Sequence, residues 1–163
     1  MRIAGMVQDS IVDGPGLRFV LFTQGCPHNC PGCHNPQTHD FDGGKEVPTE
    51  EIIKEMLGNP LTDGLTLSGG DPFCQPADCC AVARAAHEAG LNVWAYSGWT
   101  FEALMDKAET DPDVAELLEE TDVLVDGPFI LSERSLSIKW RGSKNQRLID
   151  VKNSLLKGEA VCL

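Results

Sequence analysis

Three cysteines stand within an eight-residue segment of the sequence, at Cys26, Cys30 and Cys33. Two prolines and a glycine between them hinder regular helix or strand pairing, so this segment is predicted to form a loop. The chain has seven cysteines, an odd number, and these three lie too close together for a spread disulfide framework. Metal ligation is therefore the better interpretation of residues 26–33, which we call the cysteine loop.

A centre held by three thiolates is incomplete, and two kinds of metal would complete it. A structural zinc site takes four protein ligands, so zinc would need His28, His34 or Cys74 as the fourth. A four-iron four-sulfur (4Fe-4S) cluster on three thiolates would leave one iron free to bind another molecule. Soft thiolate ligands suit both metals, so the spacing alone leaves both alternatives open.

A second cluster on Cys74, Cys79 and Cys80 is a further hypothesis. Cys79 and Cys80 fall at the start of a helical pattern, where small buried thiols are common. We therefore expect these cysteines to be structural. Cys162 stands next to the C-terminus, and we assign it no role.

Composition and charge exclude several classes of protein. The 163 residues include 25 acidic and 13 basic side chains, a net charge of −12, which argues against a nucleic-acid partner. The length and the 42% hydrophobic content suit a single globular domain over residues 1–163. No apolar run is long enough for a signal peptide or a transmembrane helix, so we expect a cytoplasmic protein without a membrane partner.

Four basic residues and no acidic ones lie between Lys139 and Arg147. Such a patch could dock an acidic surface of a partner or hold a cofactor carboxylate. A solvated strand and turn is the ordinary explanation, and the sequence alone does not decide between them.

Hydrophobic periodicity predicts alternating strands and helices. The predicted strands are Leu17–Phe22, Leu65–Leu67, Leu91–Tyr96 and Val123–Val125. The predicted helices begin near Pro48, Pro76, Phe101 and Pro112. This order indicates an α/β fold with a parallel sheet covered by helices, and the chain is too short for a closed eight-stranded barrel. We expect an open partial (βα) barrel, with its site at the carboxyl ends of the strands.

The spacing C-x3-C-x2-C after a strand resembles that of the radical S-adenosylmethionine (SAM) superfamily. Gly69-Gly70-Asp71-Pro72 likewise resembles the superfamily's Gly-Gly-Glu-Pro element, with Asp in place of Glu. The resemblance implies the partial-barrel fold and a 4Fe-4S cluster on the three cysteines of the loop. It also implies that the amino and carboxylate groups of SAM chelate the fourth iron, and that one electron cleaves SAM to a 5′-deoxyadenosyl radical. In the superfamily this glycine element contacts the amino end of SAM, which makes Gly69, Gly70 and Asp71 candidates here.

Further segments narrow the resemblance to the proteins that activate glycyl radical enzymes. These segments are Asp13–Arg18, Cys33–Asn35, Ser68–Pro72, Tyr96–Thr100, Asp122–Phe129 and Arg141–Arg147. Two subfamilies compete: the activators of pyruvate formate-lyase, which are longer, and the activators of anaerobic ribonucleotide reductase, which have about this length.

The reductase activators match more of the later segments. The resemblance therefore implies hydrogen-atom abstraction from a glycine Cα of anaerobic ribonucleoside-triphosphate reductase, with a flavodoxin-like electron donor. The alternatives are activation of another glycyl radical enzyme and a non-catalytic zinc-binding interaction module.

The other candidate cofactor-binding residues lie in or after the same loops. Many members of the superfamily carry an aromatic residue near adenine at the position of Gly32, and His34, Trp94 or Tyr96 could take that place. The remaining candidates are Asn35, Ser97 and Asp126.

Overall fold

The computed structural model describes residues 1–163 and contains one seven-stranded sheet with five α-helices. The strands are β1 (Arg2–Ser10), β2 (Arg18–Thr23), β3 (Lys45–Glu46), β4 (Gly64–Gly69), β5 (Asn92–Tyr96), β6 (Val123–Asp126) and β7 (Arg147–Asp150). The helices are α1 (Thr49–Leu57), α2 (Pro76–Glu88), α3 (Phe101–Ala108), α4 (Pro112–Glu119) and α5 (Val151–Lys157). The strand order is β3-β1-β2-β4-β5-β6-β7, so the sheet is open, with β3 and β7 at its edges.

The four predicted strands form the centre of the sheet and run parallel to one another. Because both faces of such a sheet are covered, its strands consist of nearly continuous apolar runs, which is the signal the sequence carries. One buried row crosses five strands through paired residues: Leu21, Leu67, Ala95, Leu124 and Ile149. The prediction of an open α/β fold with a parallel central sheet is confirmed.

The helices pack against the face of the sheet that carries this row. They contribute apolar side chains to one continuous core of 23 buried residues. Asp111 caps α4 by accepting hydrogen bonds from the backbone N–H groups of Asp113 and Val114, as its place before Pro112 predicts. The buried face of α2 consists of Cys79, Cys80, Val82, Ala83 and Ala86, and Ala89 after the helix is exposed.

Three strands and one helix are additional to the prediction. β1 pairs antiparallel with β2 on one side of the parallel strands, and β7 pairs antiparallel with β6 on the other. Only Ile3 and Ser10 of β1 are buried, so this strand lacks the apolar run that identifies the central ones. The structure has no helix with the length and apolarity that a bilayer crossing requires.

The turn that leads into β2 is built as its sequence predicts. Gly16 has a φ of +75°, the left-handed conformation required at the third position of a type II turn. Arg18 then enters the sheet fully buried, and its guanidinium donates to Thr66 Oγ1 at 2.7 Å and to the carbonyl oxygen of Leu65 at 2.8 Å. Burial lowers the pKa of Arg18 to about 10. Thr66 Oγ1 donates in turn to the carbonyl oxygen of Asp13 at 2.8 Å, and Arg18 donates to that of Pro15 at 2.9 Å, which fixes the segment that carries Asp13.

Candidate active site

A cavity of about 430 Å³ lies at the carboxyl ends of the parallel strands. Ser68 and Gly70 line it after β4, Ser97 and Gly98 after β5, and Gly127 after β6. Side chains alternate between the two faces of each strand, so the residues next to those of the core row point away from the core helices. The cavity at these strand ends opens onto that opposite face of the sheet. The site therefore lies at the edge of the sheet that the fold class predicts.

The cysteine loop leaves β2 and forms one wall of this cavity. Cys26, Cys30 and Cys33 are half-buried free thiols, and all three line the cavity. The loop is held by backbone hydrogen bonds from Cys26 N to the carbonyl oxygen of His39 at 3.1 Å and from Cys33 N to that of Cys30 at 3.1 Å. The sequence prediction placed these thiols in one loop, and the structure brings them to one cavity.

Burial, together with the nearby charges of Asp71, Cys30 and Cys33, raises the pKa of Cys26 to about 11, although a backbone hydrogen bond at His28 lowers it. In the metal-free protein this thiol is therefore protonated at neutral pH. Because a thiol binds metal as the thiolate, metal binding at Cys26 releases a proton.

The donor set of the cavity fits an iron-sulfur cluster with a small organic ligand. Three soft thiol ligands line one cavity, which has a volume typical of small-molecule sites. No three His, Cys, Asp or Glu side chains are placed to hold a single metal ion.

Gly69 and Gly70 line the cavity because the chain passes very close to the cysteine loop at this point. A Cβ on Gly69, whose φ is +93°, would lie 2.5 Å from the backbone nitrogen of Thr23. A Cβ on Gly70 would collide with the carbonyl oxygen of Gly25, directly before the cysteine loop. The two glycines thus allow the end of β4 to pack against the backbone that carries the thiols.

Asp71 is fully buried and accepts hydrogen bonds from three loops. Its donors are Phe73 N at 3.0 Å, Gly98 N at 3.0 Å, Ser97 Oγ at 2.9 Å and His28 Nε2 at 2.7 Å. Asp71 is not among the cavity-lining residues, which departs from its prediction as a cofactor contact. Its carboxylate instead joins the cysteine loop to the loops after β4 and β5, because those loops supply the donors.

Asp126 has a similar structural position after β6. It is almost completely buried and accepts from Phe101 N at 2.8 Å and from Arg147 Nε at 3.1 Å. Arg147 also pairs with Glu102, and hydrogen bonds to both carboxylates raise the pKa of Arg147. Asp126 does not line the cavity, and its contacts fix β7 and α3 at the site, while its binding of the cofactor stays a prediction.

The other predicted residues divide between the cavity and its surroundings. Gly32 lies outside the lining, where a Cβ would come within 2.8 Å of the side chain of Leu131. Trp94 is buried and packs edge-on against Trp140, with ring centroids 5.3 Å apart, so it does not face the cavity either. The predicted residues that do line the cavity are Cys26, Cys30, Cys33, His34, Asn35, Gly69, Gly70, Tyr96 and Ser97.

The sequence prediction missed one wall of the cavity. The segment between β6 and β7 contributes Leu136, Ile138, Trp140, Arg141 and Gln146 to the lining. Its only sequence signal is the basic run from Lys139 to Arg147, which left partner docking, cofactor binding and a solvated turn as alternatives. The segment has no regular secondary structure beyond one short turn of 3-10 helix, so periodicity could not place it.

The second group of cysteines does not reach the cavity. Cys79 and Cys80 are buried in α2 and belong to the hydrophobic core. Burial also raises the pKa of the Cys74 thiol to about 12. These surroundings agree with the expectation that the thiols are structural.

Comparison with known proteins identifies relatives over most of the chain. Residues 12–149 match the family model described as a 4Fe-4S single cluster domain. A protein from Vibrio cholerae named anaerobic ribonucleoside-triphosphate reductase-activating protein is 37% identical over 145 residues, covering 83% of this chain and 89% of its own. The protein of the same name from Escherichia coli is 34% identical over 146 residues, covering 83% and 90%.

A third protein of that name, from Pasteurella multocida, is 37% identical over 147 residues, covering 83% of this chain and 89% of its own. Among solved structures, QueE from Escherichia coli aligns with 61% of this chain and 53% of its own, at a TM-score of 0.48 and 17% identity. The family model spans the cysteine loop and the cavity wall, and the three relatives match most of the chain. The chain therefore belongs to the 4Fe-4S single cluster domain family, together with the anaerobic ribonucleoside-triphosphate reductase-activating proteins.

Proposed function

We propose that this protein is a radical SAM enzyme that generates a glycyl radical on anaerobic ribonucleoside-triphosphate reductase. The observation that carries the proposal is the meeting of three cysteine thiols and a glycine pair in one cavity at the strand ends. The relatives that bear the activating-protein name align over 83% of the chain, and the match to the family model includes this cavity. Their name identifies the reductase as the proposed protein substrate.

The residues of the cavity divide the work of holding the cofactors. Cys26, Cys30 and Cys33 would hold a 4Fe-4S cluster with one iron left without a protein ligand. When bound, the reduced cluster supplies one electron to SAM, which splits into methionine and a 5′-deoxyadenosyl radical that takes a hydrogen atom from a glycine Cα. Gly69 and Gly70 let backbone groups approach the bound molecule closely.

The chain itself holds these groups in a fixed relation. The His28–Asp71 hydrogen bond, at 2.7 Å, ties the cysteine loop to the glycine pair. Ser97, which also lines the cavity, donates to the same carboxylate. Because reacting atoms must be held in the correct geometry, this shared anchor serves the reaction without touching the substrate.

The protein substrate and the reductant both come from outside the chain. The cavity is large enough for a small-molecule cofactor, and the target glycine would enter on a segment of the reductase. We infer that a flavodoxin-like protein supplies the electron and that the reaction takes place in the cytoplasm. Activation of a different glycyl radical enzyme would use the same cavity and differ only in the partner.

An electron paramagnetic resonance experiment tests this function. The cluster-loaded protein is reduced without oxygen, mixed with SAM and either the anaerobic reductase or pyruvate formate-lyase, and examined for a glycyl radical signal. We expect the signal with the reductase, its loss in Cys30→Ala, and its retention in Cys162→Ala, a change at an exposed cysteine. A signal only with pyruvate formate-lyase would reassign the partner, and colourless protein with stoichiometric zinc would favour the interaction module.

A further inference from the structure

One cation in the cavity wall has no acidic partner. Arg141 lines the cavity, and it is the only Lys or Arg side chain that does so. Its one hydrogen bond runs from a terminal nitrogen to the carbonyl oxygen of Gln146 at 3.2 Å, and it forms no salt bridge. Its Nε atom is buried without any hydrogen-bond partner. A buried donor of this kind is costly unless a ligand satisfies it.

The other three basic residues of the run from Lys139 to Arg147 do not share this position. Arg147 is bound to the carboxylates of Asp126 and Glu102. Lys139 and Lys144 are exposed, and neither lines the cavity. Arg141 is therefore the one member of the basic run that lines the cavity and forms no salt bridge.

The turn around Arg141 is rigidly built. Gln146 accepts hydrogen bonds from the backbone N–H groups of Gly142 at 2.9 Å and Ser143 at 3.2 Å, and it donates to the carbonyl oxygen of Gly127 at 3.0 Å. Ser143 is fully buried beneath the turn. The guanidinium is thus fixed beside the end of β6, which lowers the conformational cost of binding an anion.

We propose that Arg141 binds the methionyl carboxylate of SAM through charge-assisted hydrogen bonds. This inference rests on the proposed function, since it takes SAM as the small molecule of the cavity. A guanidinium offers paired donors that match a carboxylate, and a carboxylate would satisfy the buried Nε. Two of the cavity histidines are less suited, because His28 is already bound to Asp71 and His34 is exposed.

The test compares SAM with its decarboxylated analogue on the cluster-loaded, full-length protein. Affinities are measured by anaerobic isothermal titration calorimetry for the wild type, Arg141→Gln, Arg141→Lys and the control Lys144→Gln, which removes the same charge from the same segment. We expect Arg141→Gln to weaken SAM binding by about 10- to 100-fold and to leave the affinity for the decarboxylated analogue unchanged. The affinity of Arg141→Lys for SAM should lie between those of the wild type and Arg141→Gln, and the affinity of Lys144→Gln should equal that of the wild type.

Two results would overturn the assignment of Arg141, and a third would contradict the proposed function on which it rests. Unchanged SAM affinity in Arg141→Gln would remove the residue from the cofactor site, and an accompanying loss of reductase binding would assign it to an acidic group of the partner. An equal loss for SAM and for the decarboxylated analogue, at the same iron content, would show that Arg141 does not act on the carboxylate. A wild-type protein that takes up the cluster and binds neither molecule would instead contradict the proposed function.

Discussion

Replacing Asp71 with Ala would remove the one carboxylate that joins three loops of the site. Two of its donors are the backbone N–H groups of Phe73 and Gly98, for which the structure offers no other acceptor. Each buried donor left unsatisfied costs about 1–3 kcal/mol, so these two alone predict a loss of about 2–6 kcal/mol. The donors from Ser97 and His28 lose the same partner, so we expect a total loss of unfolding free energy of at least the size that the two backbone donors predict.

The assay is urea unfolding of the variants under anaerobic conditions at matched iron content. A domain of this size is typically stable by about 5–15 kcal/mol, so the expected change is a large shift in the midpoint. Asp42→Ala is the matched control, because Asp42 is exposed and its carboxylate makes no hydrogen bond. Asp71→Asn keeps one oxygen acceptor and should be destabilised less than Asp71→Ala. A midpoint for Asp71→Ala equal to that of Asp42→Ala would refute the reasoning.

Two more predictions concern the helix layer and the glycine pair. Burial lowers the pKa of His87, but its hydrogen bonds to Asp122 and Glu120 raise it by more. The pKa of His87 in the folded protein therefore lies above its ordinary value of 6.5. The stability that this pairing contributes is fully present below the unfolded pKa of about 6.5 and is lost as the pH rises through the folded pKa. Urea titrations above pH 6.5 should therefore show a steeper loss of stability in the wild type than in His87→Gln, and parallel curves would contradict the pairing. Gly70→Ala should lower the iron content and should lower the free energy of unfolding by about 1–3 kcal/mol, because the added Cβ collides with the backbone before the cysteine loop. Gly5→Ala is the control, because its Cβ meets no atom, and it should change neither quantity. Equal iron content and equal stability in the two variants would contradict the close approach at Gly70.

The central sheet could be predicted because each of its strands is an apolar run that ends at a turn signal. β1 could not, because only two of its nine residues are buried and its pairing with β2 depends on tertiary contact. Antiparallel edge strands of this kind carry a weak hydrophobic pattern, since one face remains in solvent.

The same distinction applies to the site. The cysteine loop was predictable because its ligands are close together in sequence. The burial of Asp71 was not predictable, because its hydrogen-bond donors come from residues 28 and 97–98, far from it along the chain. Arg141 was recognised only as part of a charged run, because the sequence does not show which of four cations faces the cavity.

Mössbauer spectroscopy of the iron-57-labelled protein, with and without SAM, tests the central claim most directly. Three thiols holding a cluster with one open iron predict about four irons per chain and a change at one iron of the four when SAM binds. Cys30→Ala should lose this response, while Cys162→Ala keeps it. Spectra that SAM leaves unchanged, or iron that is absent from the anaerobically purified protein, would contradict the account.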